Sequence, residues 1–296
     1  MISRIGQPKK TRTITFKYGE KNYLGYPDVT TWSDDTDNLE GLPDSFSYQT
    51  TEIVGDVVLP AITTTRTYNK FYLLTKHSPR GHDKSRTKDD NYTYKLVANT
   101  GIDAQSAVFM LPTNSDLVCT TQTGKGSRQT IFSTTWEYDD YANVTKNSMP
   151  SGLTEWQSYY AAEGETASDG TVLCPPSANG FIRYLKSTTL SSGTSPDSTP
   201  KKKWQYTYSK TQDTHLVQIN EEQFFLQQET PQTFSPVALK KTAYQYDDSG
   251  RPITITSNMP RITPLSTTPT YLSTTTRFSY IEYMSTGTAT IKKETT

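Results

Sequence analysis

Apolar and polar side chains alternate one by one in several parts of the chain. In the segment 13–18, Ile14, Phe16 and Tyr18 share one side, and threonine and lysine occupy the other. The same two-residue period recurs in the segments 132–138, 204–208 and 277–280. Because successive side chains of a strand point to opposite faces, this alternation predicts half-buried antiparallel β-strands.

Turn and loop signals separate these strands. Glycine marks predicted turns at Gly124, Gly126 and Gly250, and the low-complexity segment 187–200 is predicted to be a long exposed loop. The segments 155–165 and 220–229 could hold short helices, although neither shows a 3.6-residue apolar period and residues 224–226 look more like a strand. The pattern predicts an all-β fold of irregular antiparallel hairpins with little helix, in a single region over residues 1–296.

A phrase with two aromatic residues and two aspartates occurs twice, as WEYDD from residue 136 and as YQYDD from residue 244. An aspartate at the end of a strand accepts hydrogen bonds from backbone amides two residues further on. Asp139 and Asp247 are therefore predicted to begin turns, with the rings of Tyr138 and Tyr246 packed against the sheet. Gly250 is predicted to supply the left-handed backbone conformation of the second turn.

The first copy of the phrase has no glycine and carries Ala142 followed by Asn143. A left-handed alanine costs about 1–2 kcal/mol, whereas asparagine tolerates that conformation, so Asn143 is predicted to be the left-handed residue. Asp139 and Asp247 could instead be the acid and base of a glycosidase, which uses two carboxylates. Their shared local context favours a turn role for both.

Composition supports a sheet protein and argues against a nucleic-acid binder. Only 32% of the 296 residues are hydrophobic, and 20 are tyrosine, a residue that favours a pleated, half-buried surface. Thirty basic residues balance thirty acidic ones, so no broad basic face is expected. The run Lys201-Lys202-Lys203 is predicted to be a solvated turn before a strand.

No metal site, cofactor or membrane segment is expected. His77, His82 and Asp83 lack a third nearby ligand and a suitable spacing, so a polar loop is the favoured interpretation. Cys119 and Cys174 are favoured to be unpaired thiols, with a single bridge as the alternative. No signal-peptide core and no apolar run of membrane-spanning length occurs, so release from the cytoplasm by a non-classical route is expected.

Four aromatic residues suggest a second kind of site. An exposed platform for stacking a sugar ring could be formed by Trp32, Trp156, Tyr159 and Tyr160. The favoured interpretation is that these rings fill the core of a sheet that is poor in leucine, and the sugar platform is the alternative.

The phrase Tyr-Asp-Asp-Ser-Gly-Arg, at 246–251, resembles the signature of RHS or YD-repeat proteins. The segments RTYNKFYLLTKH (66–77) and LCPPSANGFIRYLKS (173–187) resemble the middle-to-C-terminal region of the B subunit of bacterial insecticidal toxin complexes. The resemblance covers about residues 66–283 with gaps, and residues 1–60 match weakly. It implies a curved β-ribbon, part of a shell that holds the toxic domain of a partner. The chain is shorter than a complete shell and lacks the aspartate-rich self-cleavage motif, so a fragment or a small relative is expected.

The expected function is a non-catalytic wall segment of a toxin-encapsulating shell. Its expected partners are other RHS/YD-repeat subunits or an encapsulated toxin domain, and its open strand edges predict edge-to-edge pairing of copies. A carbohydrate-binding or adhesion module that binds glycans is the alternative. Encapsulation predicts that the rings of Trp136, Trp204, Tyr138 and Tyr246 are buried in the sheet, whereas a lectin needs exposed coplanar rings.

Overall fold

The computed structural model describes residues 13–18, 21–25, 37–55, 62–81, 83–177, 179–193, 195–198, 201–210, 217–227, 239–261, 270–282 and 289–295. The chain divides into two compact units, Met1–Ala142 and Asn143–Thr296. The all-β prediction is confirmed. Across the described residues the single helical element is a 3-10 turn at Ile102–Ala104. None of the helical structure in these ranges is long and apolar enough to cross a membrane.

The first unit contains an antiparallel sheet whose strands follow one another in chain order. Its strands are β1 (Thr13–Tyr18), β2 (Ser47–Gly55), β3 (Ile62–Asn69), β4 (Leu74–Arg80), β5 (Arg86–Tyr94), β6 (Pro112–Thr123) and β7 (Gly126–Tyr138). Each strand pairs with the next one along the chain, so every connection within this sheet is local.

The second unit repeats this arrangement with one excursion. Its strands are β8 (Val144–Ser148), β9 (Thr154–Tyr159), β10 (Glu165–Thr166), β11 (Val172–Cys174), β12 (Leu185–Ser191), β13 (Lys201–Lys210), β14 (Val217–Gln227), β15 (Lys240–Tyr246), β16 (Pro252–Arg261), β17 (Thr270–Glu282) and β18 (Ala289–Thr295). The short strands β10 and β11 form their own hairpin, and β9 pairs directly with β12.

Each unit has only a small apolar core. Leu39, Phe46 and Tyr48 form the cluster of the first unit, and Tyr160 and Cys174 pack with Tyr208 in the second. Most strand positions with a described side chain are half-buried and few are fully buried, which indicates that the described parts of both sheets are only partly covered.

Three sequence expectations on secondary structure are corrected. The segment 155–165 begins in β9 rather than in a helix, and the strand favoured at 224–226 is confirmed as part of β14. The loop expected at 187–200 begins only after Ser191, because 187–191 belong to β12. Lys201 to Lys203 are the first residues of β13, and Lys201 is buried, with its Nζ 3.5 Å from the Asp197 carboxylate.

Candidate functional site

The repeated aromatic-aspartate phrase forms a tight turn at the end of β15. The amide of Gly250 donates to the carbonyl of Asp247 at 2.9 Å, and the amide of Asp247 donates to the carbonyl of Arg251 at 2.9 Å. The Asp247 carboxylate accepts from the amide (2.8 Å) and Nε (2.7 Å) of Arg251. The hydrogen bond from the Arg251 amide contributes most to lowering the pKa of Asp247, and the bond from the Arg251 side chain adds to it. Gly250 has φ +79°, the left-handed conformation expected from the sequence.

The first copy of the phrase places its left-handed residue at Ala142, and the prediction of Asn143 is wrong. Ala142 has φ +65°, and its amide donates to the carbonyl of Asp139 at 3.1 Å. The Asp139 carboxylate accepts from the amide of Tyr141 at 3.0 Å, so the turn begins where the sequence analysis placed it. Asn143 is buried, and its side-chain amide donates to the carbonyl of Ile182 at 3.2 Å. The turn fixes the position of the left-handed residue by its length, whichever side chain stands there.

The same turn occurs at three places that the sequence analysis did not identify. In each one, the amide of the fourth residue bonds to the carbonyl of the first, and the amide of the first bonds to the carbonyl of the fifth. The fourth residue has a positive φ in all three. The turns span residues 69–73, 149–153 and 167–171. Only the turn at 69–73 begins with the second residue of a Tyr-Asx pair, Tyr68-Asn69. That pair was the signal in the sequence that could have revealed it.

Tyrosines at or near the ends of strands donate hydrogen bonds to the strand that precedes them. Each hydroxyl reaches a backbone carbonyl at or near the start of that preceding strand. The pairs are Tyr94 to Leu74 (2.8 Å), Tyr138 to Pro112 (2.9 Å), Tyr159 to Val144 (3.0 Å), Tyr208 to Leu185 (3.1 Å) and Tyr246 to Ile219 (2.7 Å). We call these contacts tyrosine latches, since each one closes the open end of a hairpin.

The latch tyrosines remain protonated donors at neutral pH. Burial raises the pKa of Tyr94, Tyr138 and Tyr246, and it raises that of Tyr208 to about 12. A buried phenol that donates to a carbonyl is satisfied, whereas its phenolate would face a carbonyl dipole in a low-dielectric setting. The latches are therefore structural hydrogen bonds rather than acid-base groups.

A small cavity in the first unit surrounds Lys70. The cavity is about 260 Å³ and is lined by Gly41, Leu42, Pro43, Asp44, Lys70, Asn99, Thr100 and Gly101. Nζ of Lys70 lies 2.7 Å from Asp44, and it donates to the carbonyls of Leu42 (3.1 Å) and Thr100 (3.2 Å). An ammonium has three donors, so all of them are used. Lys70 thus fastens two loops to the turn at 69–73 and leaves no donor for a ligand.

The three described rings of the alternative sugar platform do not form one stacking surface. Tyr160 is buried against Tyr208 and donates to the carbonyl of Tyr206 at 2.8 Å, so it cannot stack on a sugar. Trp156 and Tyr159 are three residues apart on β9 and therefore point to opposite faces. Trp32 lies outside the described residues. The four rings expected to be buried in the sheet are half-buried instead: Trp136, Tyr138, Trp204 and Tyr246.

Other chemistry-bearing residues are engaged in local contacts. His77 lies 3.2 Å from Asp90 on the neighbouring strand, and His82 falls outside the described residues. Where the chain is described, no group of three or more His, Cys, Asp or Glu side chains converges as a metal site would require. Cys119 and Cys174 are both free thiols, and burial together with the nearby Glu165 raises the pKa of Cys174 to about 11.

Comparisons with known proteins give a limited result. No family model and no curated protein sequence matches the chain. Among solved structures, it is similar to a chain of the crystal structure of TcdB2-TccC3-Cdc42, with 11% identity and a TM-score of 0.23 over 84% of this chain. A chain of the TcdB2-TccC3-TEV structure gives 11% identity and a TM-score of 0.24 over 83%. This chain spans about 15% of the length of either one.

Proposed function

We propose that this chain is a non-catalytic structural wall whose exposed sheet faces shelter a non-native polypeptide. The proposed partners are subunits of an RHS/YD-repeat toxin complex or a toxin domain held within it, outside the producing cell. The sequence resemblance of 66–77, 173–187 and 246–251 to such subunits supports this partner class. The observation that carries the proposal is the row of tyrosine latches in sheets whose described positions are mostly half-buried.

The latches address a physical weakness of an uncovered sheet. A sheet without a second layer buries little apolar surface, so its hairpins gain little from packing. A hydrogen bond from a latch tyrosine adds about 0.5–1.5 kcal/mol at each hairpin end, where fraying would begin. The sheets thereby stay ordered while their faces remain accessible to another chain.

The exposed faces suit contact with an extended polypeptide. On β13 and β14 the rings of Trp204 and Phe224 pair across the strands, with centroids 5.1 Å apart and both side chains half-buried. Half-exposed aromatic and threonine side chains offer apolar area together with hydrogen-bonding groups. An unfolded chain presents both kinds of surface, whereas a folded protein has already buried most of its apolar area.

The aspartates of the repeated phrase support a role without catalysis. Asp139 accepts from the amide of Tyr141, and Asp247 is held by Arg251. Each carboxylate is thus committed to its own turn, and the turn accounts for its place in the sequence.

The test is a binding titration followed by fluorescence anisotropy. A labelled protein is presented once reduced and carboxymethylated, hence unfolded, and once in its native state. We expect saturable binding of the unfolded form and at least about tenfold weaker binding of the native form, a difference of about 1.4 kcal/mol. Equal affinity for the two forms, or no binding of the unfolded one by a properly folded chain, would overturn the proposal.

A further inference from the structure

Five exposed basic residues cluster at the tips of two neighbouring hairpins of the first unit. They are Lys84, Arg86, Lys88, Lys125 and Arg128, and together we call them the basic surface. Asp83 is the one acidic residue within 83–88 and 122–132. Five cations stand here against one carboxylate, although the whole chain has no net charge. The basic surface is therefore a local concentration of positive charge.

Strand register places three of these side chains on one face of the sheet. Arg86 and Arg128 both lie opposite Thr121, one on each side of it. Lys88 lies opposite Cys119, two residues along β6, and alternate residues of a strand share a face. Arg86 and Arg128 are thus separated by two strand spacings, roughly 10 Å, with Lys88 about 7 Å along the strand from Arg86.

The carboxylates closest in sequence to the basic surface already have partners. Asp89 binds Arg80 at 2.6 Å and Lys76 at 3.5 Å, and these contacts help to lower its pKa against the opposing effect of burial. Asp90 lies 3.2 Å from His77. No carboxylate among the described residues forms an ion pair with a member of the basic surface, so the described part of the first unit leaves its charge without an ion-pair partner.

An exposed aromatic ring extends the same face. Phe132 lies opposite Leu117 in the register row two residues beyond that of Cys119, and its side chain is 44% exposed. It lies four residues along β7 from Arg128, about 13 Å away at the rise of a strand. The adjacent Ile131 is also exposed, but it points to the opposite face. The face that carries the cations therefore offers an apolar contact beside them.

We propose that the basic surface and Phe132 form a docking site for an acidic polypeptide segment that carries an apolar side chain. Charge complementarity selects the acidic residues, and Phe132 selects the apolar one. Three cations on a flat face fall short of the extended basic stripe that tracks a nucleic-acid backbone. The site does not depend on the proposed wall function, since it would bind its segment even if the sheet faces sheltered nothing.

The test uses fluorescein-labelled 12-residue peptides and the full chain. One peptide alternates glutamate with serine and has a central leucine, the second replaces every glutamate by glutamine, and the third replaces the leucine by serine. A single-stranded DNA of 12 nucleotides serves as a polyanion without an apolar side chain. The variant carries Arg86→Gln, Lys88→Gln and Arg128→Gln, and the control carries Lys95→Gln, Lys202→Gln and Lys210→Gln, all exposed positions.

We expect the acidic leucine peptide to bind at low salt and the glutamine peptide not to bind. Since each exposed ion pair contributes about 0.2–1 kcal/mol, the triple variant should lose roughly tenfold in affinity and the control variant should lose little. Phe132→Thr should weaken binding of the leucine peptide and leave the serine peptide unchanged, whereas Ile131→Thr should affect neither. Circular dichroism establishes that every variant is folded.

Three results would overturn the proposal. The first is no binding of the acidic peptide at low salt. The second is equal binding by the triple variant and the control variant. The third is tighter binding of the DNA that is lost in the triple variant and unaffected by Phe132→Thr, which would make this a polyanion surface.

Discussion

Ala142 shows how a turn can impose a backbone conformation on an unsuitable residue. Its φ of +65° is left-handed, a region that glycine adopts freely and asparagine tolerates, but that is costly for alanine. The turn hydrogen bond from its amide to Asp139 holds it there. Gly250 occupies the equivalent position of the second copy, so the chain provides a natural comparison between the two residue types.

The Ala142→Gly variant should be more stable than the natural chain. Relief of about 1–2 kcal/mol of backbone strain exceeds the roughly 0.5–1 kcal/mol that glycine adds to the entropy of the unfolded chain. Gly250→Ala should be destabilising for the converse reason. The free energy of unfolding in urea measures both. Ala167→Gly is the control, since Ala167 is the first residue of such a turn and is not left-handed, and it should lose stability. A loss of stability in Ala142→Gly would contradict this account.

Tyr94 and Tyr92 offer a matched test of a tyrosine latch on one strand. The Tyr94 hydroxyl donates to Leu74 at 2.8 Å, whereas the Tyr92 hydroxyl makes no hydrogen bond in the described structure. Tyr94→Phe should cost about 1 kcal/mol because a carbonyl loses its donor, and Tyr92→Phe should cost less than about 0.5 kcal/mol. Urea unfolding at pH 7 gives the two values. Equal losses would mean that the latch adds no stability.

At the scale of the element, hairpins were predictable from the sequence and long-range contacts were not. The alternating pattern and the Tyr-Asp turns depend only on neighbouring residues. Strands β7 and β15, and the turns that follow them, lie where the sequence predicted them. The burial of Tyr160 depends on a strand that comes 46 residues later, where the Tyr206 carbonyl accepts from its hydroxyl at 2.8 Å. No local pattern carries that contact. The prediction that Asn143 is left-handed was wrong because it considered the backbone preference of asparagine and not the length of the turn.

Lys70 joins elements that are distant in sequence, and its removal should loosen the loops of the first unit. Lys70→Met leaves the carbonyls of Leu42 and Thr100 without a donor, at a cost of about 2 kcal/mol or more. Lys95→Met, at an exposed position, should change stability by less than about 0.5 kcal/mol. Urea unfolding at pH 7 gives the free energy of unfolding of both variants. Similar small losses in both would contradict a stabilising role for the Lys70 contacts.

The contact between Lys70 and Asp44 also predicts a stability that depends on pH in acid. The hydrogen bond from Lys70 lowers the pKa of Asp44 from its ordinary value of 3.8. A lowered pKa contributes stability that is present above the ordinary value and is lost as pH falls through the folded one. The stability gap between the natural chain and Lys70→Met should therefore narrow below pH 3.8. A gap that stays constant across this range would show that Asp44 does not depend on Lys70.

The latch tyrosines predict the opposite behaviour in alkali. Burial raises the pKa of Tyr208 from 10.0 to about 12, so its contribution is present below pH 10 and is lost as pH rises toward 12. Tyr208→Phe should be less stable at pH 7 and should show a smaller alkaline loss over this range. Urea unfolding followed by circular dichroism at several pH values measures this loss of stability in both chains. An equal loss in Tyr208→Phe and the natural chain would contradict the role assigned to the Tyr208 hydroxyl.

At the scale of the whole molecule, the main property is half-buried sheet surface. Among the described residues most strand positions are half-buried, and each unit has a small apolar cluster. In the described parts β1 pairs only with β2, and β18 only with β17, so edge-to-edge association of copies stays a prediction. The sequence indicated this property through its few apolar residues and many tyrosines, but it could not show which faces stay uncovered.

Hydroxyl-radical footprinting tests the sheltering of a polypeptide most directly. Trp204 and Phe224 report on one face of the second unit's sheet, Trp156 reports on the other, and the exposed turn residue Tyr141 serves as the reference. With a saturating amount of unfolded polypeptide, we expect the rings of at least one face to be oxidised more slowly and Tyr141 to be unchanged. Unchanged oxidation of all three rings, while the polypeptide is bound, would place it elsewhere and contradict the account.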